Sequence, residues 1–235
     1  HIRRIKSYEQ KNIYNYGDIF FNLSPEEKKR FISFDNNLEI NKWIENNKLD
    51  YIVKQQSNNL DRLAKYCSKS DWDFPLNSIK AYKGTYFKAI NDALEANDLN
   101  SLSNQKYAHL LLLMNSIIYS QIPEDVIVYR SIKDDEFFTI INNNKKGVGT
   151  KHKGFLSTSL SKNIVKNKEF SDRKYLLKIY VKKNTCGLYM GKSVNCNLER
   201  EKEMLFLPNS YIYLIDSPFY DNSINKTIVP CTLMY

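Results

Sequence analysis

Glycine and histidine are scarce in this 235-residue chain, which has seven of the first and three of the second. The glycines build no phosphate cradle: neither the Walker spacing nor the dinucleotide fingerprint GxGxxG occurs. With only His1, His109 and His152, a serine or cysteine nucleophile would lack its usual base. Cys67, Cys186, Cys196 and Cys231 form no CxxC, so a Cys/His zinc site is not expected; reduced structural cysteines are. No apolar run reaches membrane-spanning length, the longest (YAHLLLLM) being interrupted by His109. No signal-peptide pattern is visible, and the chain opens on His1 rather than Met, as a mature or excised fragment would.

What is present is an ordinary globular composition, 42% hydrophobic, with 17 tyrosines and a formal net charge of +9. That excess favours an anionic partner: nucleic acid, a membrane surface, a nucleotide or an acidic protein. The charge is spread out. KNIVKNKEFSDRK and NNNKKGVGTKHK are the only basic concentrations, and neither is an arginine-rich arm, so nucleic acid is not the expected partner.

The chain divides into a helical part, residues 1–125, and a β part, residues 126–235, and reads as one domain because no repeat or Pro/Gly/Ser linker separates them. Ser24-Pro25-Glu26-Glu27 is a capping box with proline at the first helical position. Ile40, Trp43, Ile44 and Ile52 predict one helix over Leu38–Lys54. Ile79, Tyr82, Tyr86, Ala89, Ile90, Ala93 and Leu94 give the clearest amphipathic stripe, over Asn77–Ala96. Gln105–Tyr119, apolar nearly all round, reads as a buried helix with His109 as a satisfied core residue. From Val126 onward VIVYR, FLSTS, YLLKIYVK, CGLYM, MLFLP, YIYLID and TIVPCTLMY are short strands, with helices expected only at Asp134–Ile141 and around Ser161–Phe170. His152 falls in a loop between lysines. The fold class is α+β: N-terminal helices packed beside a two-sheet β-sandwich.

One stretch resists a purely structural reading. NLEREKEMLFLP sets Glu199, Glu201 and Glu203 on alternate residues directly before an apolar strand. In an extended chain all three share a face, where like charges repel. Either this is a solvated loop or a carboxylate pair is aimed into a cleft. Three other segments bear on the choice. Arg130 ends the apolar VIVYR strand, as a rim charge or as a planar fork for a phosphate. Ser157 and Ser159 share a face of GFLSTS. Phe170 precedes Arg173 by three residues in a polar loop, where the ring either tucks into the core or meets a flat ligand.

In this order the four pieces resemble the bacterial mono-ADP-ribosyltransferase toxins of the Arg–Ser–Glu class, which include actin-modifying binary toxins, Rho-modifying exoenzymes and insecticidal toxins. The resemblance runs from about Leu76 to Pro208. It implies an NAD-binding cleft, with NAD as substrate and no metal. It implies that Arg130 binds NAD, that Ser157 orients the catalytic glutamate, and that Phe170 meets the nicotinamide while Arg173 meets a phosphate. Glu201 and Glu203, placed immediately before MLFLP, match the Glu-x-Glu pair, leaving Glu199 as a loop carboxylate. AYKGTYFKAIN (Ala81–Asn91) resembles the segment carrying a tyrosine near the nucleotide; Tyr82 would be that residue, or simply core.

The resemblance therefore implies an enzyme that moves ADP-ribose from NAD to an arginine of a host protein and releases nicotinamide. Glu203 would stabilise the ribosyl cation and Glu201 would prepare the guanidinium. Glutamate at 201, where the Rho-modifying enzymes carry glutamine, favours arginine over asparagine as acceptor. Leu198 stands where the family often has an aromatic, so actin or a small GTPase remain target types without a choice between them. The expected setting is secretion or injection by a bacterium and action in the host cytosol, with room for a separate translocation component; 235 residues cannot hold the second, inactive copy of the fold found in actin-modifying toxins. The rival readings are an NAD glycohydrolase and a non-catalytic basic binding module.

Overall fold

The computed structural model describes residues 2–4, 19–67, 78–191 and 202–235. The helical part contains a short antiparallel pair, β1 (Ile2–Arg4) on β2 (Ile19–Phe21), that the sequence did not announce. The capping box starts α1 (Pro25–Arg30): Glu27 N donates to Ser24 Oγ at 3.1 Å, and Ser24 N donates to Glu27 Oε2 at 2.8 Å. The helix expected over Leu38–Lys54 is two, α2 (Asn37–Asn46) and α3 (Leu49–Cys67). Lys48 turns the chain between them with a left-handed φ of 53°. The apolar stripe runs on through the turn, so periodicity alone did not show the break.

The stripe over Asn77–Ala96 is also interrupted. It folds as α4 (Ser78–Ala81), one π turn over Tyr82–Tyr86, and α5 (Phe87–Ala96). The wide turn is closed by Phe87 N–H bonding Tyr82 O, five residues back. α6 (Asn104–Ile118) buries His109, Leu110, Leu113, Ser116 and Ile117, but Leu111 and Ile118 face outward, so it is not apolar-buried all round. His109 is a partnered core residue, its Nδ1 2.9 Å from Ser78 Oγ.

The β part consists of β3 (Val126–Ile132), β4 (Thr150–His152), β5 (Leu156–Ser159), β6 (Tyr175–Val181), β7 (Gly187–Tyr189), β8 (Glu203–Phe206), β9 (Ser210–Leu214), β10 (Phe219–Asp221) and β11 (Lys226–Met234), with α7 (Asp134–Lys145) between β3 and β4. The strands follow the order β4-β9-β11-β6-β3-β5-β8-β7, with β10 also on β11. The ladder is mixed: β11 and β6 are parallel, the other pairs antiparallel. It narrows to one residue pair, Tyr129↔Ser159, where β3 meets β5.

That narrow seam divides the strands into two halves. One core takes Val128, Ile179 and Val229 from the first half and Leu156, Met204 and Phe206 from the second. Period-two alternation then fixes the outer faces. Ile127 and Tyr129 point to a layer with Ile164 and Val165, whereas Leu188 and Leu205 point to Ile79, Ile90, Leu110 and Leu113 of the helices. The expected α+β class is thus present, with helices beside one mixed sheet of nine strands that stays continuous through the Tyr129–Ser159 pair in place of two separate sheets.

Candidate active site

The seam between β3 and β5 is where the polar side chains collect. Arg130 does not end β3, which continues to Ile132; it shares its strand face with Val128 and Ile132, so a cation sits within a row that otherwise faces core. Its Nη1 donates to Ser157 O at 2.9 Å, and its Nε lies 3.6 Å from Glu136 Oε1 on the first turn of α7. That Nε is buried and has no hydrogen-bond partner among the described residues. A guanidinium held this way keeps a fixed plane.

Across the seam, β5 pairs with β8 so that Ser159 faces Glu203 and Ser157 is its diagonal neighbour. Ser157 Oγ donates to Glu203 Oε1 at 2.6 Å. The other oxygen, Oε2, lies 3.4 Å from Lys83 Nζ, and the two side chains are only 10% and 5% exposed. Lys83 was not singled out in the sequence. One signal was available: it stands at i+4 from Ile79, with Tyr86 and Ile90 at i+7 and i+11, so a lysine occupies a place in the buried stripe.

Tyr82, one residue earlier, is buried in the helical core layer. Asn91 Nδ2 donates to its hydroxyl at 2.9 Å, Phe155 N donates to Asn91 Oδ1 at 2.9 Å, and the Phe155 ring meets Tyr82 edge-on at 5.1 Å. Gly154 leaves space for this bridge, since a Cβ there would stand 2.9 Å from Asn91 Oδ1. Burial drives the Tyr82 phenol above its ordinary pKa; the Asn91 hydrogen bond opposes this and the Glu203 charge adds to it. The packing reading of Tyr82 is therefore realised, within electrostatic reach of Glu203.

In place of the helix expected over Ser161–Phe170 there are two 3-10 turns, Lys162–Lys166 and Lys168–Phe170. Phe170 is half-buried against the layer holding Ile164 and Tyr129. The Arg173 guanidinium lies 4.6 Å over the Phe170 ring, and Arg173 Nη1 donates to Ser131 O at 2.7 Å. Burial, then the Arg130 charge, lowers the Arg173 pKa. Lys226 Nζ donates to Ser171 O at 2.9 Å and also to Arg173 O, tying the base of this segment to β11.

Arg130, Ser131, Ser157, Ile164, Phe170 and Arg173 line a crevice of about 60 Å³. A second, larger cavity of about 410 Å³ opens beside Glu95, Glu136, Thr150 and His152. Arg130 is the one residue on both walls. His152, expected in a loop, ends β4 with its Nε2 3.3 Å from Phe155 O. Burial first, and then the positive charge of Arg130, push its pKa down to about 4, so the ring is neutral at pH 7.

Glu201, with Glu199 and Leu198, lies outside the described residues. Lys202 is described, and its φ of 47° is left-handed. Arg130, Ser157, Glu203, Phe170 and Arg173 all border the seam, while Tyr82 stands behind it. Lys83, Asn91, Glu136 and His152 are the neighbours that sequence reading passed over. No cluster of three His, Cys, Asp or Glu suited to a metal occurs among the described residues, and no helix among them is long and apolar enough to cross a membrane.

The family model described as ADP-ribosyltransferase exoenzyme matches residues 56–229. Among solved structures, an ADP-ribosyltransferase from Clostridium botulinum superposes with a TM-score of 0.62 at 17% identity, over 87% of this chain and 99% of that one. An ADP-ribosyltransferase toxin from Paenibacillus larvae gives 0.65 at 16% identity, over 87% of this chain and 100% of that one. The ADP-ribosylating component of a binary enterotoxin of C. perfringens, solved with NADH, gives 0.63 at 23% identity, over 87% of this chain but 50% of that one. Comparison with curated protein sequences gave no match.

Proposed function

The chain belongs to the ADP-ribosyltransferase exoenzyme family, and on that footing we propose that it transfers ADP-ribose from NAD to an arginine of a host protein, releasing nicotinamide. The observation that carries this reading is the sequestered Glu203 carboxylate, held by Ser157 at 2.6 Å beside a crevice bordered by two arginines. Cleavage of the nicotinamide–ribose bond leaves positive charge on the ribose, and a fixed carboxylate out of bulk water stabilises that charge better than water does. Ser157 fixes the carboxylate's orientation. Arg130 and Arg173 supply guanidinium donors for the diphosphate, and Phe170 a flat face for the nicotinamide.

The balance of the transfer is simple. The C1′–nicotinamide bond breaks, a guanidino nitrogen of the acceptor bonds C1′, and its proton passes to a carboxylate. Glu201 takes that proton in this reading, because a guanidinium gives up no proton unaided at pH 7. A crevice of about 60 Å³ is small against the roughly 300–1,000 Å³ of ordinary ligand sites. The Phe170–Arg173 stack therefore moves when NAD enters, and the larger cavity beyond Arg130 is available to the adenosine end. Residues 1–235 form one catalytic domain in this account, produced by a bacterium and delivered into the host cytosol with or without a separate translocation component.

Agmatine tests the acceptor class. With NAD and agmatine the protein should form ADP-ribosyl-agmatine, detected by mass spectrometry, along with equimolar nicotinamide. Nicotinamide release with free ADP-ribose as the sole product, with agmatine and with host lysate alike, would make the chain a glycohydrolase. No NAD cleavage at all would leave a binding module.

A further inference from the structure

We infer that Lys83 is a positioning residue for Glu203: its ammonium fixes Oε2 while Ser157 fixes Oε1, so the carboxylate is held at both oxygens. The inference rests on the proposed role of Glu203 in NAD cleavage. Glu203 is 10% exposed and Lys83 5%, with Nζ 3.4 Å from Oε2. Ser157 reaches Oε1 alone and offers one proton. Without Lys83, a buried carboxylate would depend on a single neutral donor.

The other groups facing this pair do not replace the ammonium. Arg130, from β3, spends Nη1 on Ser157 O and turns Nε toward Glu136. Tyr82, from the π turn, is a neutral phenol whose own ionisation burial and Glu203 disfavour. β7 presents Leu188, and Met190 follows it, neither carrying a charge; β5 presents Ser157 and Ser159. Lys202, next to Glu203 in sequence, is buried with its carbonyl accepting from Leu160 N. Lys83 is thus the cation in ion-pair contact with Glu203 among the described residues.

The backbone holds the ammonium there. Tyr82 and Tyr86, the first and last residues of the π turn, pack into the helical core layer. A π turn adds a residue to a helix and commonly marks a site rather than a packing need. Energetics point the same way. A buried ion pair gains little stability over a well-packed apolar pair, because both charges lose water. A lysine retained in that position is better explained by what it does to the glutamate than by fold stability.

The test separates positioning from packing. Lys83→Met should lower kcat for nicotinamide release about 10-fold or more, the loss expected when a charged contact is removed, with KM for NAD near wild type. Its melting temperature should be little changed, because a buried ion pair adds little stability over an apolar pair. Lys83→Arg should restore kcat. Lys83→Gln repeats the measurement with a polar head in place should Lys83→Met not fold. Wild-type kcat in a folded Lys83 variant, or a loss of kcat that Lys83→Arg does not recover, would overturn the inference and leave Lys83 a packing residue. Wild-type NAD cleavage by Glu203→Gln would instead bring down the underlying role of Glu203.

Discussion

Ser157 Oγ and Glu203 Oε1 are joined by a 2.6 Å hydrogen bond between diagonal neighbours on β5 and β8. The serine's main-chain oxygen meanwhile accepts from Arg130 Nη1 at 2.9 Å. One residue therefore orients the carboxylate through its side chain and the arginine through its backbone. Ser157→Ala removes only the first. A hydrogen bond to a charged group is worth about 1.5–3 kcal/mol, so kcat for nicotinamide release should fall roughly 10–100-fold with KM for NAD little changed. A large rise in KM would mean that the Arg130 arrangement collapses with the hydroxyl.

Phe170 and Arg173 should separate in stability and agree in binding. Phe170 is half-buried against Ile164 and Tyr129, so Phe170→Ala should cost about 1 kcal/mol, well under the roughly 3–5 kcal/mol of a fully buried phenylalanine. Arg173→Ala gives up the part-buried 2.7 Å bond to Ser131 O and the ring contact but opens no apolar cavity, and should cost less. Both should weaken NAD affinity in calorimetric titration. A melting temperature for Phe170→Ala as low as that of a core deletion, with NAD affinity intact, would make Phe170 a core residue.

His152 gives the fold an acid-sensitive element. Its pKa is about 4 in the folded protein, against about 6.5 unfolded. Between those values the unfolded chain binds the extra proton, so stability rises with pH. The contribution is fully present above about pH 6.5 and is lost as pH falls toward 4, at no more than about 1.4 kcal/mol per unit. His109 is also lowered by burial, so the comparison must be with His152→Gln. Urea unfolding at pH 4.5, 5.5 and 7 should show a shallower acid loss in that variant; parallel curves would contradict the placement of the ring.

Much of this was legible in the chain, and the failures have physical causes. The Ser24–Glu27 box is a local pattern with a local result, so it was read correctly. Runs of β-branched and aromatic residues likewise revealed β3, β5, β6, β7, β8, β9 and β11, but not the three-residue β1, β2, β4 and β10. The breaks at Lys48 and over Tyr82–Tyr86 were hidden because one apolar stripe serves the elements on both sides. Arg130, Ser157 and Glu203 could be named from motif order, whereas Lys83 could not. Its partner lies 120 residues on in the sequence, and only a lysine inside a buried stripe hinted at it. His152 looked like a loop residue because flanking lysines mask a short edge strand.

Glu201 carries the proposed acceptor step, and its effect should be separable from NAD cleavage. Glu201→Gln should abolish transfer to agmatine or protein yet keep much of the NAD hydrolysis, since water needs no guanidinium handling. NAD affinity should be unchanged, because Arg130 and Arg173 are the proposed phosphate contacts. Equal loss of both reactions would place Glu201 in the cleavage step. Equal retention would move the acceptor role to Glu199 or elsewhere.

Nicotinamide release by Glu203→Gln, measured beside wild type on protein of matched melting temperature, tests the central claim most directly. Glutamine keeps the size of the side chain and removes its charge. Loss of about 3–4 kcal/mol of transition-state stabilisation corresponds to a fall of roughly 10²–10³-fold, in hydrolysis and transfer alike. Wild-type release by the variant would contradict the account.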